Sequence, residues 1–164
     1  MVTCGLFPGA RHLRTGDLRV TNTMKLSAQD YLDIHNLYAQ YNHVSDAADA
    51  NRYADCFTED GTLQAPDIGI NVSGRAALIA HKQRDGANRD GQYRRHWNGS
   101  VHLEPQSDGS VIGRCYLIAY NGQPGQLPTL ADCGVYLDTV IRDGGEWKFS
   151  RRILSMDASS WGKK

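Results

Sequence analysis

The chain reads as an α+β protein in which three N-terminal helices cover one curved, cone-shaped antiparallel sheet of four long strands plus a short hairpin. Two observations predict this. Apolar residues recur at three- and four-residue steps between residues 28 and 48, and from Gln92 onward the period changes to two. Glycine-bearing turn signals, Asp108-Gly109 and Asp143-Gly144-Gly145, then fall between successive alternating stretches, as hairpins require.

Ser27-Ala28-Gln29-Asp30 is a capping-box pattern, in which the Ser27 hydroxyl accepts a free backbone N–H and the Asp30 carboxylate returns the bond, so the first helix begins near residue 28. Tyr31, Ile34, Leu37, Tyr38, Tyr41 and Val44 form its apolar face, and Asp46 continues that face where the helix ends, around 45–48. A shorter second helix starts at about Asp49, carries Tyr53, Cys56 and Phe57 on one side, and stops at Thr58-Glu59-Asp60-Gly61, where glycine supplies the turn. Thr62-Leu63-Gln64-Ala65 and Gly69-Ile70-Asn71-Val72, separated by Pro66-Asp67, make a small hairpin. Ser73 or Gly74 opens a third helix with Ala77, Leu78 and His81 at helical spacing. It fades into the polar, glycine-bearing stretch 84–91, an exposed loop or a lid. The long strands are 93–103, 110–120, 130–142 and 146–156, with a longer link at 121–128.

With 164 residues, 40% of them apolar, the chain suits one compact domain, placed at 26–158 between flexible tails at 1–25 and 159–164. Met24 sits just ahead of the first structured signal, so the N-terminal stretch is a mobile tail or a leader read through from an upstream start. Eighteen basic side chains balance eighteen acidic ones, which removes the electrostatic footprint of a nucleic-acid binder and favours a small or neutral ligand, and the aromatic-rich cone makes a small hydrophobic molecule the expected partner. No apolar run approaches the ~20 residues of a membrane span. Cys4, Cys56, Cys115 and Cys133 form no C-x-x-C pair, and free thiols in a reducing cytoplasm are the expectation.

A curved sheet capped by helices leaves its wide end open. Tyr38, Tyr41, Tyr53, Trp97, Tyr116, Tyr120 and Tyr136 are the aromatic side chains able to line that opening, although most must serve the core or a subunit interface. A carboxylate on the core-facing side of a helix loses hydration and needs a partner. For Asp46 the candidate is His96, in Arg94-Arg95-His96-Trp97-Asn98.

Several motifs together resemble the SnoaL-like branch of the nuclear transport factor 2-like superfamily. They are Ile34-x-x-Leu37-Tyr38 with Asp46 eight residues on, Tyr53-Ala54-Asp55-Cys56-Phe57-Thr58-Glu59-Asp60-Gly61, Gly74-Arg75 with Ile79, His96-Trp97, and Tyr136-x-Asp138 followed by Gly145-Glu146-Trp147-Lys148-Phe149. The resemblance covers residues 27–157 and implies a cone-shaped α+β barrel. It also implies an Asp46/His96 pair at the positions where scytalone dehydratase, bile-acid dehydratase and hexachlorocyclohexane dehydrochlorinase carry theirs. Tyr41 is similar to the bile-acid dehydratase tyrosine, and Arg152 falls where some relatives place a polar pocket residue. The second active-site histidine of scytalone dehydratase has no counterpart by motif, His102 being a loose candidate.

The implied chemistry is elimination without metal or other cofactor. A neutral imidazole removes a proton next to a carbonyl, and a carboxylate on its other nitrogen fixes the tautomer and stabilises the imidazolium. Tyr41, with Tyr53 or Asn98, holds the carbonyl oxygen, and His96 returns the proton to the departing hydroxyl. The reading is a dehydratase-type lyase acting on a hydroxy-carbonyl, polyketide, steroid or aromatic compound. An isomerase or cyclase of the same fold, or a non-catalytic module like an oxygenase small subunit, is the alternative. His43, Asp46 and Asp49 stand one turn apart but lack a metal-site signature, and His35 and His81 read as solvated or peripheral. The apolar outer face of an open sheet needs cover, and relatives assemble as dimers or trimers, so a homo-oligomer is expected.

Overall fold

The computed structural model describes residues 25–160. The element order is α1 (Ala28–Asp46), α2 (Ala50–Asp55), β1 (Phe57–Ala65), a single 3-10 turn (Pro66–Ile68), β2 (Ile70–Ser73), α3 (Arg75–Ala87), β3 (Tyr93–Pro105), β4 (Val111–Gly122), β5 (Thr129–Asp143) and β6 (Glu146–Ser159). The tails expected at 1–25 and 159–164 lie outside the described residues, apart from Lys25, Ser159 and Ser160.

The capping box is present. Ser27 Oγ accepts the Asp30 N–H at 3.1 Å, and Asp30 Oδ2 accepts the Ser27 N–H at 3.0 Å. Ile34, Leu37, Tyr38, Tyr41 and Val44 are buried along one stripe of α1, whereas Tyr31 at its start is exposed. The strands form one open sheet in the order β2-β1-β6-β5-β4-β3. The last four strands make the expected antiparallel meander. The hairpin joins it through a parallel pairing of β1 with β6.

Irregularities bend this sheet. Register shifts fall between Gly99 and His102 in β3, across Ala131 in β5, and across Ser150 and Asp157 in β6. Each extra residue locally increases the twist, which turns a flat meander into a hollow. Ser100, with φ at +54°, sits in the β3 bulge.

Two expectations are corrected. Thr58-Glu59-Asp60-Gly61 is not a turn ending a helix but an irregular stretch within β1, where Phe57 pairs with Phe149 and Thr62 with Arg151. Gly61 is required there because a Cβ would stand 2.8 Å from that of Phe57 and 2.9 Å from the Thr58 carbonyl. Residues 84–87, expected to be loop, belong to α3. The glycine in that last turn, Gly86, allows close approach to the link between α1 and α2, since a Cβ would meet the Ala48 methyl at 2.8 Å.

Candidate active site

The end of α1 is locked by α3. Lys82, Asp85 and Arg89 stand three and four residues apart and so share one side of the helix as it runs out. Lys82 Nζ donates to Ser45 Oγ at 2.8 Å and to Asp85 Oδ2 at 3.0 Å. Arg89 donates to the carbonyls of Asp46 (2.5 Å) and Ser45 (2.7 Å), and to Asp85 Oδ2 at 2.6 Å. These carbonyls belong to the last turn, where a helix leaves acceptors short of intrahelical partners, and a cation there also complements the macrodipole. Burial works against the Asp85 carboxylate, but Lys82 and Arg89 outweigh it and hold it at about 2. The result fixes the backbone from which Asp46 projects.

Asp46 reaches across to β3. Its carboxylate accepts the His96 backbone N–H at 3.2 and 3.1 Å and meets His96 Nδ1 at 2.5 Å. The other ring nitrogen, Nε2, receives the Nε–H of Arg94 at 3.3 Å. A guanidinium can only donate, so Nε2 must carry a lone pair and Nδ1 the hydrogen. Both neighbours therefore select the neutral Nδ1–H tautomer. Burial pushes the His96 pKa below the usual histidine value, and the Arg94 charge adds to this while Asp46 opposes it. Burial wins because water is the main stabiliser of an imidazolium.

Next to His96 lies a cavity of about 60 Å³ with two kinds of wall. One is apolar: Leu63, Ala65, Ile68, Ile70, Leu154 and Met156, from the hairpin and β6. The other is polar: Ser45, His81, Lys82, Asp85, Arg94, His96 and Asp132, with the phenols of Tyr41, Tyr53 and Tyr136. Tyr41 and Tyr53 bring their hydroxyls to 3.3 Å, and burial raises the pKa of both, so they stay neutral donors. The charges cancel in pairs, Lys82 with Asp85 and Arg94 with Asp132. His81, kept neutral by burial and the adjacent Lys82, is a second imidazole in this wall. The space is that of a few waters, so a ring-bearing guest enters only if a wall yields. The hairpin is the thin wall: among the described residues β2 pairs only with β1, and Asp67 Oδ2 is tied to β6 through the Met156 N–H at 2.9 Å.

The sequence profile described as the SnoaL-like domain matches residues 27–153. The chain belongs to the SnoaL-like family. No curated protein matches it. Among solved structures, ActVI-ORFA from Streptomyces coelicolor is 25% identical with a TM-score of 0.70, over 77% of this chain and 97% of that one. A protein from Catenulispora acidiphila, in complex with S-DNPA, is 22% identical with a TM-score of 0.71, over 80% and 96%. A scytalone dehydratase-like protein from Novosphingobium aromaticivorans is 22% identical with a TM-score of 0.69, over 81% and 87%. The latter two share the fold, which other solved relatives describe as nuclear transport factor 2-like or cystatin-like.

In this SnoaL-like protein the residues singled out from the sequence divide among four places. Tyr41, Tyr53, Tyr136 and His96 face the cavity. Tyr38, Trp97 and Asn98 line a wider groove of about 830 Å³ between α1 and β3, on the other side of the Asp46/His96 pair, and the Asn98 amide is buried there without a partner among the described residues. Tyr116 and Tyr120 lie on the outer face of β4, because Cys115, Leu117 and Ala119 take the inner one. Trp97 and Tyr116 are 71% and 58% exposed. Arg152, expected at the pocket, is 0% exposed in the core, its guanidinium carbon 3.8 Å from the Tyr136 ring centroid and 4.1 Å from that of Tyr41. Its charge is matched by Asp138, whose Oδ1 is 3.3 Å from Arg152 Nε and whose Oδ2 accepts the Tyr38 hydroxyl at 2.7 Å. His102 is exposed beside Glu104, far from a second-histidine role, whereas His81, read as peripheral, faces the cavity. Lys82, Asp85, Arg89, Arg94 and Asp132 were not anticipated. The helical spacing of the first three, and the even spacing of Arg94 from His96, are the signals that could have found them.

Among the described residues no three His, Cys, Asp or Glu side chains converge as a metal-binding group, His43, Asp46 and Asp49 included. No described helix is long and apolar enough to cross a membrane.

Proposed function

We propose that this protein is a dehydratase-type lyase that works by side-chain proton transfer, removing water from a small, largely apolar hydroxy-carbonyl compound of polyketide, steroid or aromatic type. The observation that carries the reading is the position of His96, with Nδ1 on the Asp46 carboxylate and Nε2 under the Arg94 Nε–H at the cavity wall, contacts that select the neutral Nδ1–H form. That is the protonation state a general base needs. Asp46 stabilises the imidazolium as it forms, and Tyr41 and Tyr53 offer hydroxyl donors to a substrate oxygen. His96 then returns the proton to the departing hydroxyl, beside which His81 is a further donor. Cancelling wall charges suit an uncharged guest, and the apolar wall suits its hydrocarbon edge. The guest enters as the Pro66–Ile68 turn and β2 swing outward. The scytalone dehydratase-like relative is consistent with dehydration, and the S-DNPA complex with small-molecule binding in this fold.

The exposed Trp97, Tyr116, Ile118 and Leu137 on the outer sheet face support assembly as a dimer or trimer; the cytoplasm is the proposed location. The test of function is a screen of β-hydroxy ketones for the absorbance of the conjugated product, with His96→Gln as control. Turnover by the parent and its loss in a folded variant is the expected result; a variant as active as the parent removes the proposed base.

A further inference from the structure

We propose that Arg94 is a catalytic residue, the group that receives the substrate's carbonyl oxygen, and that it masks the lone pair of His96 until that oxygen arrives. The inference rests on the proposed role of His96 as base and adds a residue that neither the motifs nor the resemblance supplied.

The guanidinium and the imidazole meet at one point of the cavity wall. Arg94 Nε lies 3.3 Å from His96 Nε2, a long contact for a hydrogen bond, and one that occupies the lone pair the reaction must use. A carbon giving up its hydrogen to Nε2 has to come within about 3–3.5 Å of that nitrogen. Ordinary bond lengths then put the oxygen of an adjacent carbonyl about 2.4 Å from that carbon. The Arg94 N–H that now points at Nε2 is within reach of such an oxygen. Exchanging the nitrogen acceptor for the oxygen frees the base and supplies the oxyanion contact in one step.

The far side of the guanidinium is fixed for this task. Arg94 Nη1 donates to Asn121 Oδ1 at 3.1 Å and Nη2 to Asp132 Oδ2. Asp132 is buried and held in turn by Ser159 Oγ at 2.6 Å and the Ser160 N–H at 3.1 Å. A donor aimed in advance at the site of developing charge needs no reorganisation when the charge appears. In the step itself the C–H bond breaks, its electron pair forms the C=C of an enolate, the carbonyl π pair moves to the oxygen facing Arg94, and the proton goes to Nε2. Collapse of the enolate then expels the β-hydroxyl, which takes that proton from the imidazolium and leaves as water. Enolate and imidazolium arise together, so the balance of charge in the cavity is kept throughout.

A phenol imitates this step, since it binds neutral and can pass its proton to Nε2 while its oxygen faces Arg94. The experiment adds 2-naphthol to the full chain at a pH below the phenol's own pKa and reads the ionised fraction of the bound molecule by absorbance. The parent is expected to ionise it. Arg94→Met is expected to lower that fraction about tenfold or more while binding the neutral molecule as before, and Arg94→Lys is expected to restore part of it. Should Arg94→Met fail to fold because Asp132 is left unpaired, the Arg94→Met/Asp132→Asn double variant takes its place. In the parent, the ¹⁵N shift of Arg94 Nε must also move when naphthol is added. Equal ionisation in parent and variants, no ionisation in the parent, or an Arg94 signal that does not respond overturns the inference. The base reading fails separately: a His96→Gln variant that still ionises the phenol in an Arg94-dependent way refutes His96 and leaves Arg94 standing.

Discussion

Replacing Asp46 by asparagine changes one oxygen to an amide nitrogen and removes the charge, yet its consequences extend along the chain of hydrogen bonds. The carboxylate accepts both the Nδ1–H of His96 and its backbone N–H. An amide presents one oxygen in place of two. Either it takes the Oδ1 place, where it meets both donors and its NH₂ opposes the backbone N–H, or it takes the Oδ2 place, serves the backbone alone and turns its NH₂ to Nδ1. In the second case the imidazole is driven to the Nε2–H tautomer, whose hydrogen then confronts the Arg94 Nε–H that lies 3.3 Å from it. Loss of a hydrogen bond to a charged acceptor costs about 1.5–3 kcal/mol. The proposed base meanwhile loses its lone pair toward the cavity, so the turnover proposed for this protein should fall on the order of 10²–10⁴-fold. Two measurements check this. Chemical denaturation reports the stability, and ¹⁵N correlation spectra of the imidazole report which nitrogen carries the hydrogen, without a substrate. A variant whose His96 remains Nδ1–H, with stability within a few tenths of a kcal/mol of the parent, would refute the hydrogen-bond argument.

Other consequences follow from the same contacts. Because burial lowers the folded-state pKa of both His96 and His81, the acid limb of kcat/KM should lie below the ordinary histidine value of 6.5, with activity retained above it and lost as the pH falls through the lowered values. The unfolded chain binds those protons more readily, so stability should also decline as the pH falls below about 6.5, and thermal melts of His81→Gln between pH 7.5 and 5.5 should show a weaker decline than the parent. Arg152→Met removes the cation that opposes burial at Asp138, whose carboxyl already sits at about 6, so Asp138 takes up a proton in its buried site; urea unfolding should show a loss of up to about 3–5 kcal/mol, larger at higher pH, partly recovered by adding Asp138→Asn. Ile118→Lys places a charge at the centre of the exposed apolar patch beside Trp97, and sedimentation velocity should show assembly weakened toward monomer with the fold intact.

Much of the architecture was readable along the chain. The capping box, the apolar stripe of α1 and the alternation of the four long strands are local patterns, and local patterns report on local backbone. Glycine was the source of the two errors. Gly61 and Gly86 look like chain breakers, yet each sits inside an element where a neighbouring residue comes too close for a Cβ. Side-chain direction misled in another way. His96 and Trp97 are adjacent on one strand and cannot both face the cavity, so a strict reading of period two would have sent Trp97 outward. In β4 both alternating sets are apolar, and the larger aromatic set, Tyr116 and Tyr120, turns out to be the outer one. Arg152 faces inward only because Ser150 is bulged in β6, and a bulge is set by the pairing partner.

By itself the amino-acid order determined which segments become helices and strands, and which aspartate stands at the end of the first helix. Periodicity and capping are short-range, and each is satisfied within a few residues. Only the tertiary structure decided that Arg94 and Asp46 would grip opposite nitrogens of His96, and that Lys82, Asp85 and Arg89 would fasten the helix end from another element. Those contacts join residues 37 to 50 positions apart, except for the Arg94 contact made two residues away across one strand face. Their formation depends on how strongly the bulges curve the sheet, a property of paired strands that no single segment carries.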